Sequence, residues 1–244
     1  MSALCTFLYV QTLISHPLSV SFMAPSVKAS ILVVVAHPDD ECIGAGGTIK
    51  KHVDLGFETD VLCLTGNEVR NEELRAACNI LGVREVYTNE RDDFAIDWSL
   101  EQEIVSAILK SKPSIMITHS MKDYNRNHVR CSKLVADAVE WASHVTMHED
   151  AVRVDRVYAM EINSLHSRPN VLVDVSDSFD AAMDALRRHG SQLQKADGFY
   201  LRFYDARTRL RGIQAACDRA EAFTVSFPYH AGPFYPRNAV DSLI

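Results

Sequence analysis

The chain has 244 residues, 47% of them apolar and 23% charged, with a net charge of -7. That length and composition fit a single soluble α/β domain with a large core, and the acidic balance argues against a nucleic-acid partner, which a basic patch would attract. The six cysteines (Cys5, Cys42, Cys63, Cys78, Cys131 and Cys217) show neither a CxxC pair nor a framework spacing, so they read as reduced thiols packed as small apolar groups in a cytoplasmic protein.

Leu4 to Met23 is fairly apolar but carries Gln11, His16 and several hydroxyl residues. It has no positive leader and no run of about 20 apolar residues, so no membrane span is expected. Residues 1–27 read as a poorly ordered extension with Met23 as an alternative start, against a weak signal peptide or anchor. The domain is assigned to 28–244. Ile31 to Val35 is a buried strand, because four of its five apolar residues are β-branched. Thr48 to Leu55 reads as a helix opened by Gly44-Ala-Gly-Gly47, and Glu58 to Thr65 as a second strand. Asn71 to Leu81 is helical, with Leu74, Cys78 and Leu81 on one face and Gly82 as its cap. Val83 to Thr88 is a short strand, Ser99 to Lys110 a helix, Ile115 to Thr118 a strand and Ser132 to Ser143 a helix. Val154 to Ile162 and Val171 to Val175 read as later strands, Asp180 to Gln194 and Thr208 to Ala222 as later helices, and Pro228 to Pro236 as an irregular arm. Strands alternating with helices imply right-handed crossovers and a mostly parallel sheet. The fold expected is a Rossmann-like three-layer α/β/α single domain.

The chemistry concentrates after the first strand, where His37, Asp39, Asp40 and Glu41 fall within five positions. Ligands in open α/β sheets sit just beyond the carboxyl ends of the strands. His37 and Asp40, three apart on a sharp turn, can reach one cation, and catalytic zinc takes three protein ligands with a place kept for water. A second cluster, Thr118 to His128, also follows an apolar strand, and its His128 is a good third ligand. Asp39 would then face the activated water as a base. Gly44 to Gly47 lacks the order of a phosphate-binding loop, so it reads as close packing of helix on strand. His144, His148 and His166 read as solvent-exposed, Arg187, Arg188 and His189 as a helix end, and Trp98 and Trp141 as helix packing. Tyr229, His230, Phe234 and Tyr235 read as a pocket rim or a subunit contact.

Ala36-His-Pro-Asp-Asp-Glu41 followed by Gly44-Ala-Gly-Gly-Thr48 resembles the signature of the LmbE-like (PIG-L) family of zinc-dependent deacetylases. The likeness continues through Leu64-Thr-Gly66, Arg70-Asn-Glu-Glu73, Ala77 and Leu81-Gly82. It extends to His119, Asp123, Asn125 and His128, and then to Pro169-Asn170, Val173-Asp-Val175, Arg211-Gly212 and Ala220-Glu-Ala-Phe223. The resemblance implies removal of an N-acyl group, usually acetyl, from a small-molecule amino sugar or glycoconjugate, often by a homo-oligomer. It implies Zn2+ held by His37, Asp40 and His128, with nickel, cobalt or iron as chemically acceptable substitutes. By the same resemblance Asp39 is the general base, and Asp39 or His119 protonates the leaving amine. Arg70, Asp123 and Asn125 contact the substrate, and Glu41 is a supporting residue. Asn127 stands where the family usually has an Asp that orients a histidine, which removes a negative charge there. The competing readings are an amidase for a larger N-acyl or thiol-conjugate amide and a non-catalytic Rossmann-like relative.

Overall fold

The computed structural model describes residues 30–195 and 197–226. The expected extension over 1–27, Cys5, the arm at Pro228 to Pro236 and the rim residues Tyr229, His230, Phe234 and Tyr235 lie outside these residues. Among the described residues, seven strands form a single mixed sheet: β1 (Ser30–Val35), β2 (Glu58–Cys63), β3 (Glu85–Tyr87), β4 (Ile115–His119), β5 (Arg156–Met160), β6 (Val171–Asp174) and β7 (Ala220–Val225), in the order β3-β2-β1-β4-β5-β7-β6. The first five strands pair in parallel, and β7 pairs antiparallel with both β5 and β6. The order reverses between β1 and β4. At such a switch point the following loops part and leave a crevice.

Seven helices of the described residues cover the sheet: α1 (Asp40–Asp54), α2 (Glu68–Leu81), α3 (Trp98–Ser111), α4 (Arg126–Ala142), α5 (Phe179–Leu186), α6 (Gly190–Lys195) and α7 (Phe199–Ala215). The two-residue period of β1 separates the layers. Ile31, Val33 and Val35 pack with Ile43 and Ile49 of α1, Leu74, Cys78 and Leu81 of α2, and Ala182 and Leu186 of α5. Leu32 and Val34 pack on the other face with Ile104 and Ile108 of α3 and Leu134 and Val135 of α4. Strand β1 is thus buried on both faces, as its unbroken apolar run requires. The Gly44 to Gly47 stretch packs helix on sheet as expected: a Cβ on Gly47 would meet the Val175 side chain at 2.7 Å, and one on Gly44 would meet Ile162 at 2.7 Å. Cys42, Cys63, Cys78 and Cys131 are buried free thiols.

Several boundaries differ from those expected, each for a local reason. Helix α1 starts at Asp40, inside the acidic cluster, and absorbs the glycines across a kink at Ala45 (φ -147°). Helix α4 starts at Arg126 rather than Ser132, because the Asn125 side chain caps it by accepting the Asn127 N–H. The helix expected over Asp180 to Gln194 is two helices, broken where His189 turns inward. The last helix runs over Phe199–Ala215, not Thr208 to Ala222. Ala216 closes it in the left-handed conformation, and Ala220–Val225 is a strand. Glu221 disguised that strand: its carboxylate is buried and accepts the N–H groups of Gly47 and Thr48 and the Tyr204 hydroxyl. His166 is buried rather than solvent-exposed, its Nε2 3.0 Å from the Ala159 carbonyl. His144 and His148 are half-buried. Trp98 and Trp141 meet edge to face across α3 and α4, with centroids 5.1 Å apart. No helix among the described residues is long and apolar enough to cross a membrane.

Candidate metal centre

The end of β1 and the start of α1 deliver three side chains to the crevice. The Asp40 carboxylate occupies the middle. Its Oδ2 lies 3.1 Å from His37 Nδ1 and accepts the His37 N–H at 2.8 Å, and its Oδ1 lies 3.3 Å from His128 Nε2. His37, Asp40 and His128 each offer a ligand atom within 4.8 Å of the others. This His2Asp donor set suits a borderline-soft divalent ion. The electrostatics favour positive charge at its centre. Burial alone would raise the Asp40 pKa, but His128 and His119 beside it hold that carboxyl well below the usual range. Burial disfavours a charged His128, yet Asp40 and Asp123 overcome it and push the imidazole up to about 10.

Asp39 sits next to this group on a strained backbone. Its φ of 125° lies in a region that non-glycine residues rarely adopt, at a cost of about 1–3 kcal/mol. Such strain needs holding. Its carbonyl accepts the N–H groups of Cys42 and Ile43, and its own N–H donates to Glu41 Oε2 at 3.0 Å. Burial and the neighbouring Asp40 push the Asp39 carboxyl up to about 7, and Arg70 partly offsets this. Arg70 Nη2 lies 3.4 Å from Asp39 Oδ1 and donates to the Pro38 carbonyl. A shallow cavity of about 180 Å3 opens over the cluster, lined by His37, Asp39, Asp40 and His128 together with Ile43, Arg70, Asn125, Ile162, Asn163, Gln192 and Tyr200.

Two expected site residues stand elsewhere. Asp123 lies behind His128 instead of facing the cavity. Its Oδ2 is 3.1 Å from His128 Nδ1 and accepts the Asn163 N–H, and its Oδ1 accepts the Asn125 N–H and the Asn163 side-chain amide. Burial opposes these contacts, but His128 and the amides hold its carboxyl at about 2. The carboxylate–histidine pair expected to be weakened at Asn127 is therefore supplied by Asp123. Asn127 instead lies beside His37, 3.4 Å from Nε2. His119 is fully buried and stacked on His128, with ring centroids 3.9 Å apart, and its Nε2 accepts the Ala36 N–H at 2.8 Å. Burial and the neighbouring His128 push it down to about 3. It does not line the cavity, where it was expected to meet the substrate amine. Its Nε2 lies 3.4 Å from Asp40 Oδ2, but that nitrogen already accepts the Ala36 N–H, so it packs beside the carboxylate without donating to it.

Four residues escaped the sequence. Asn163 follows β5 in a loop anchored from beneath: Arg211 pairs with Glu161, and Arg207 donates to the Glu161 and Ile43 carbonyls. Gln192 and Tyr200 come from α6 and α7, far along the chain from the last motif that carries chemistry. His189 pairs with Glu41, its Nε2 2.7 Å from Oε1, and both side chains are fully buried. Only His189 gave a hint, as a histidine before a glycine in the middle of a helical pattern.

Residues 32–139 match the family described as PIG-L: GlcNAc-PI de-N-acetylase. The diacetylchitobiose deacetylase of Thermococcus kodakarensis is 29% identical over 189 residues, covering 66% of this chain and 69% of that protein. A 4-oxalmesaconate hydratase of Pseudomonas putida is 26% identical over 215 residues, covering 77% of this chain and 81% of that protein. The crystal structure of a conserved protein from Thermus thermophilus superposes with a TM-score of 0.73 at 26% identity, over 84% of this chain and 97% of that one.

Proposed function

Because the chain belongs to the PIG-L (LmbE-like) family, we propose that it is a zinc-dependent hydrolase that removes an N-acetyl group from an amino sugar or its conjugate. The observation that carries this reading is a carboxylate outside the donor set, Asp39, held beside a three-donor cluster in one cavity. His37, Asp40 and His128 would hold the ion. When bound, zinc supplies Lewis-acid activation of water and of the amide carbonyl.

Asp39 is the base that takes the proton from the attacking water and the acid that returns it to the departing amine nitrogen. Its place in the cavity beside the cluster suits it to both tasks, since it can reach a water and an amine held there. Arg70 places a fixed positive charge beside Asp39 and orients its carboxylate. Asp123 and His119 do not touch substrate. Asp123 orients His128, and His119 packs against the His128 ring from behind. Asn125, Asn163, Gln192 and Tyr200 supply neutral donors and acceptors around the opening, which match the hydroxyls of a sugar.

The hydratase relative makes water addition to a carbon–carbon double bond the second reading. The cavity favours the amide. Arg70 is the one Lys or Arg among the described residues lining it, and Asp39 and the Pro38 carbonyl already engage that guanidinium. The experiment is an acetate-release screen over N-acetylated sugars and their nucleotide and inositol conjugates, with added zinc and with chelator. Release of acetate that chelator abolishes is expected. Failure of every N-acetyl substrate, with turnover of an unsaturated carboxylate, would overturn the reading in favour of hydration.

A further inference from the structure

Glu41 is fully buried and does not line the cavity, yet it is bonded at both ends. Oε2 accepts the N–H of Asp39, the strained residue, and Oε1 faces His189 Nε2 at 2.7 Å. His189 lies in the break between α5 and α6, and its carbonyl accepts the N–H groups of Gln192 and Leu193, which start α6. Glu73 of α2 fixes Ser191, accepting its N–H at 2.7 Å and its hydroxyl at 2.6 Å. The same short helix carries Gln192 into the cavity wall. A single imidazole thus ties the backbone of the base to the element that forms the opposite wall.

We propose that His189 is a positioning residue that acts through Glu41: it fixes the Asp39 backbone and seats the α6 wall against it. This rests on Asp39 being the base of the proposed hydrolysis. The bond from the Asp39 N–H to Glu41 holds the N-terminal side of this strained residue, as the Cys42 and Ile43 N–H groups hold its carbonyl, and a glutamate side chain with a free second oxygen could rotate away. The His189 bond removes that freedom. His189 engages Glu41 through Nε2, while its Nδ1 has no hydrogen-bond partner. The role therefore needs one donor at that reach, not an imidazole as such. A glutamine side chain places its amide nitrogen at a similar reach, so it should substitute.

The test compares wild type with His189→Leu and His189→Gln in the zinc-loaded protein. It measures zinc per chain, hydrogen exchange at the Asp39 amide, and kcat and KM for whichever N-acetyl sugar the wild type cleaves. The Leu variant should bind zinc at wild-type stoichiometry, expose the Asp39 amide to exchange at least about tenfold faster, and lose about 100-fold in kcat, the scale of a misplaced reacting group. KM should change far less than kcat. The Gln variant should recover both exchange protection and kcat to within about tenfold of wild type. Wild-type kcat with a protected Asp39 amide in the Leu variant would overturn the proposal. Loss of zinc in step with activity would also overturn it, by placing the effect on the ligands. If the Leu variant does not fold, Glu41→Ala must show the same loss of protection, since it removes the acceptor of the Asp39 N–H through which His189 acts. A wild type that releases no acetate would instead remove the hydrolase reading and leave the exchange and zinc measurements to decide this one.

Discussion

Replacing Asp123 by Asn separates a role behind the metal from a role on the substrate. The four groups that meet this carboxylate, His128 Nδ1, the N–H groups of Asn125 and Asn163, and the Asn163 side-chain amide, fall two on each oxygen at 2.8–3.1 Å. All four act as donors when His128 offers Nε2 to the ion. An asparagine of the same size must turn its own NH2 toward two of them, whichever way its amide is set. It also removes the charge that makes the imidazole a stronger ligand. Removing such an outer partner typically weakens metal affinity 10- to 100-fold, about 1.4–2.8 kcal/mol. Zinc affinity measured by competition with a chromogenic chelator should fall by that factor, while kcat at saturating zinc stays within about tenfold of wild type. An unchanged zinc affinity with a raised KM would refute the reasoning and return Asp123 to the substrate side.

The other predictions concern the base and the scaffold. Asp39→Asn should keep one zinc per chain and lose about 10²–10⁴ in kcat; a wild-type rate would assign the base elsewhere. Glu161→Gln leaves Arg211 buried without its counter-charge, since both side chains are under 5% exposed. Breaking such a pair costs about 3–5 kcal/mol, which at about 2–4 °C per kcal/mol is a drop in Tm of about 6–20 °C. A calorimetric shift below about 2 °C would show that Glu161 and Arg211 are not energetically coupled.

The grouping of His37, Asp40 and His128 was the most legible part of the sequence. His37 and Asp40 are local to one strand end, and His128 follows the next strand at the switch point, so a reading of β1 and β4 as parallel neighbours is enough to bring them together. His128 lines the cavity while Asp123 and His119, from the same stretch, do not. A cluster known only by proximity in sequence does not show which side chain faces the cavity and which faces backwards. Asp123 turns back because two amides of Asn163, 40 residues away, claim its oxygens. Gln192, Tyr200 and His189 were illegible because they reach the site through tertiary packing of short elements after the parallel core. Strand β7 was hidden by Ala220-Glu-Ala222, residues that favour a helix, and by the charge of Glu221 at a position buried on both sides. The hydrogen-bonding partners of that carboxylate, Gly47, Thr48 and Tyr204, lie on other elements. The α/β architecture itself, written in the apolar runs of β1, β2 and β4, was legible throughout.

Anomalous diffraction from zinc-loaded crystals, collected on both sides of the zinc edge, tests the central claim most directly. The account predicts one zinc ion bonded to His37, Asp40 and His128, with the Asp39 carboxylate facing the ion's open side and not bonded to it. Glu41, Cys42 and His189 form the other group among the described residues with ligand atoms close enough to hold a metal. Zinc bound there, or bonded through Asp39 in place of Asp40, would contradict the division of roles on which the mechanism rests.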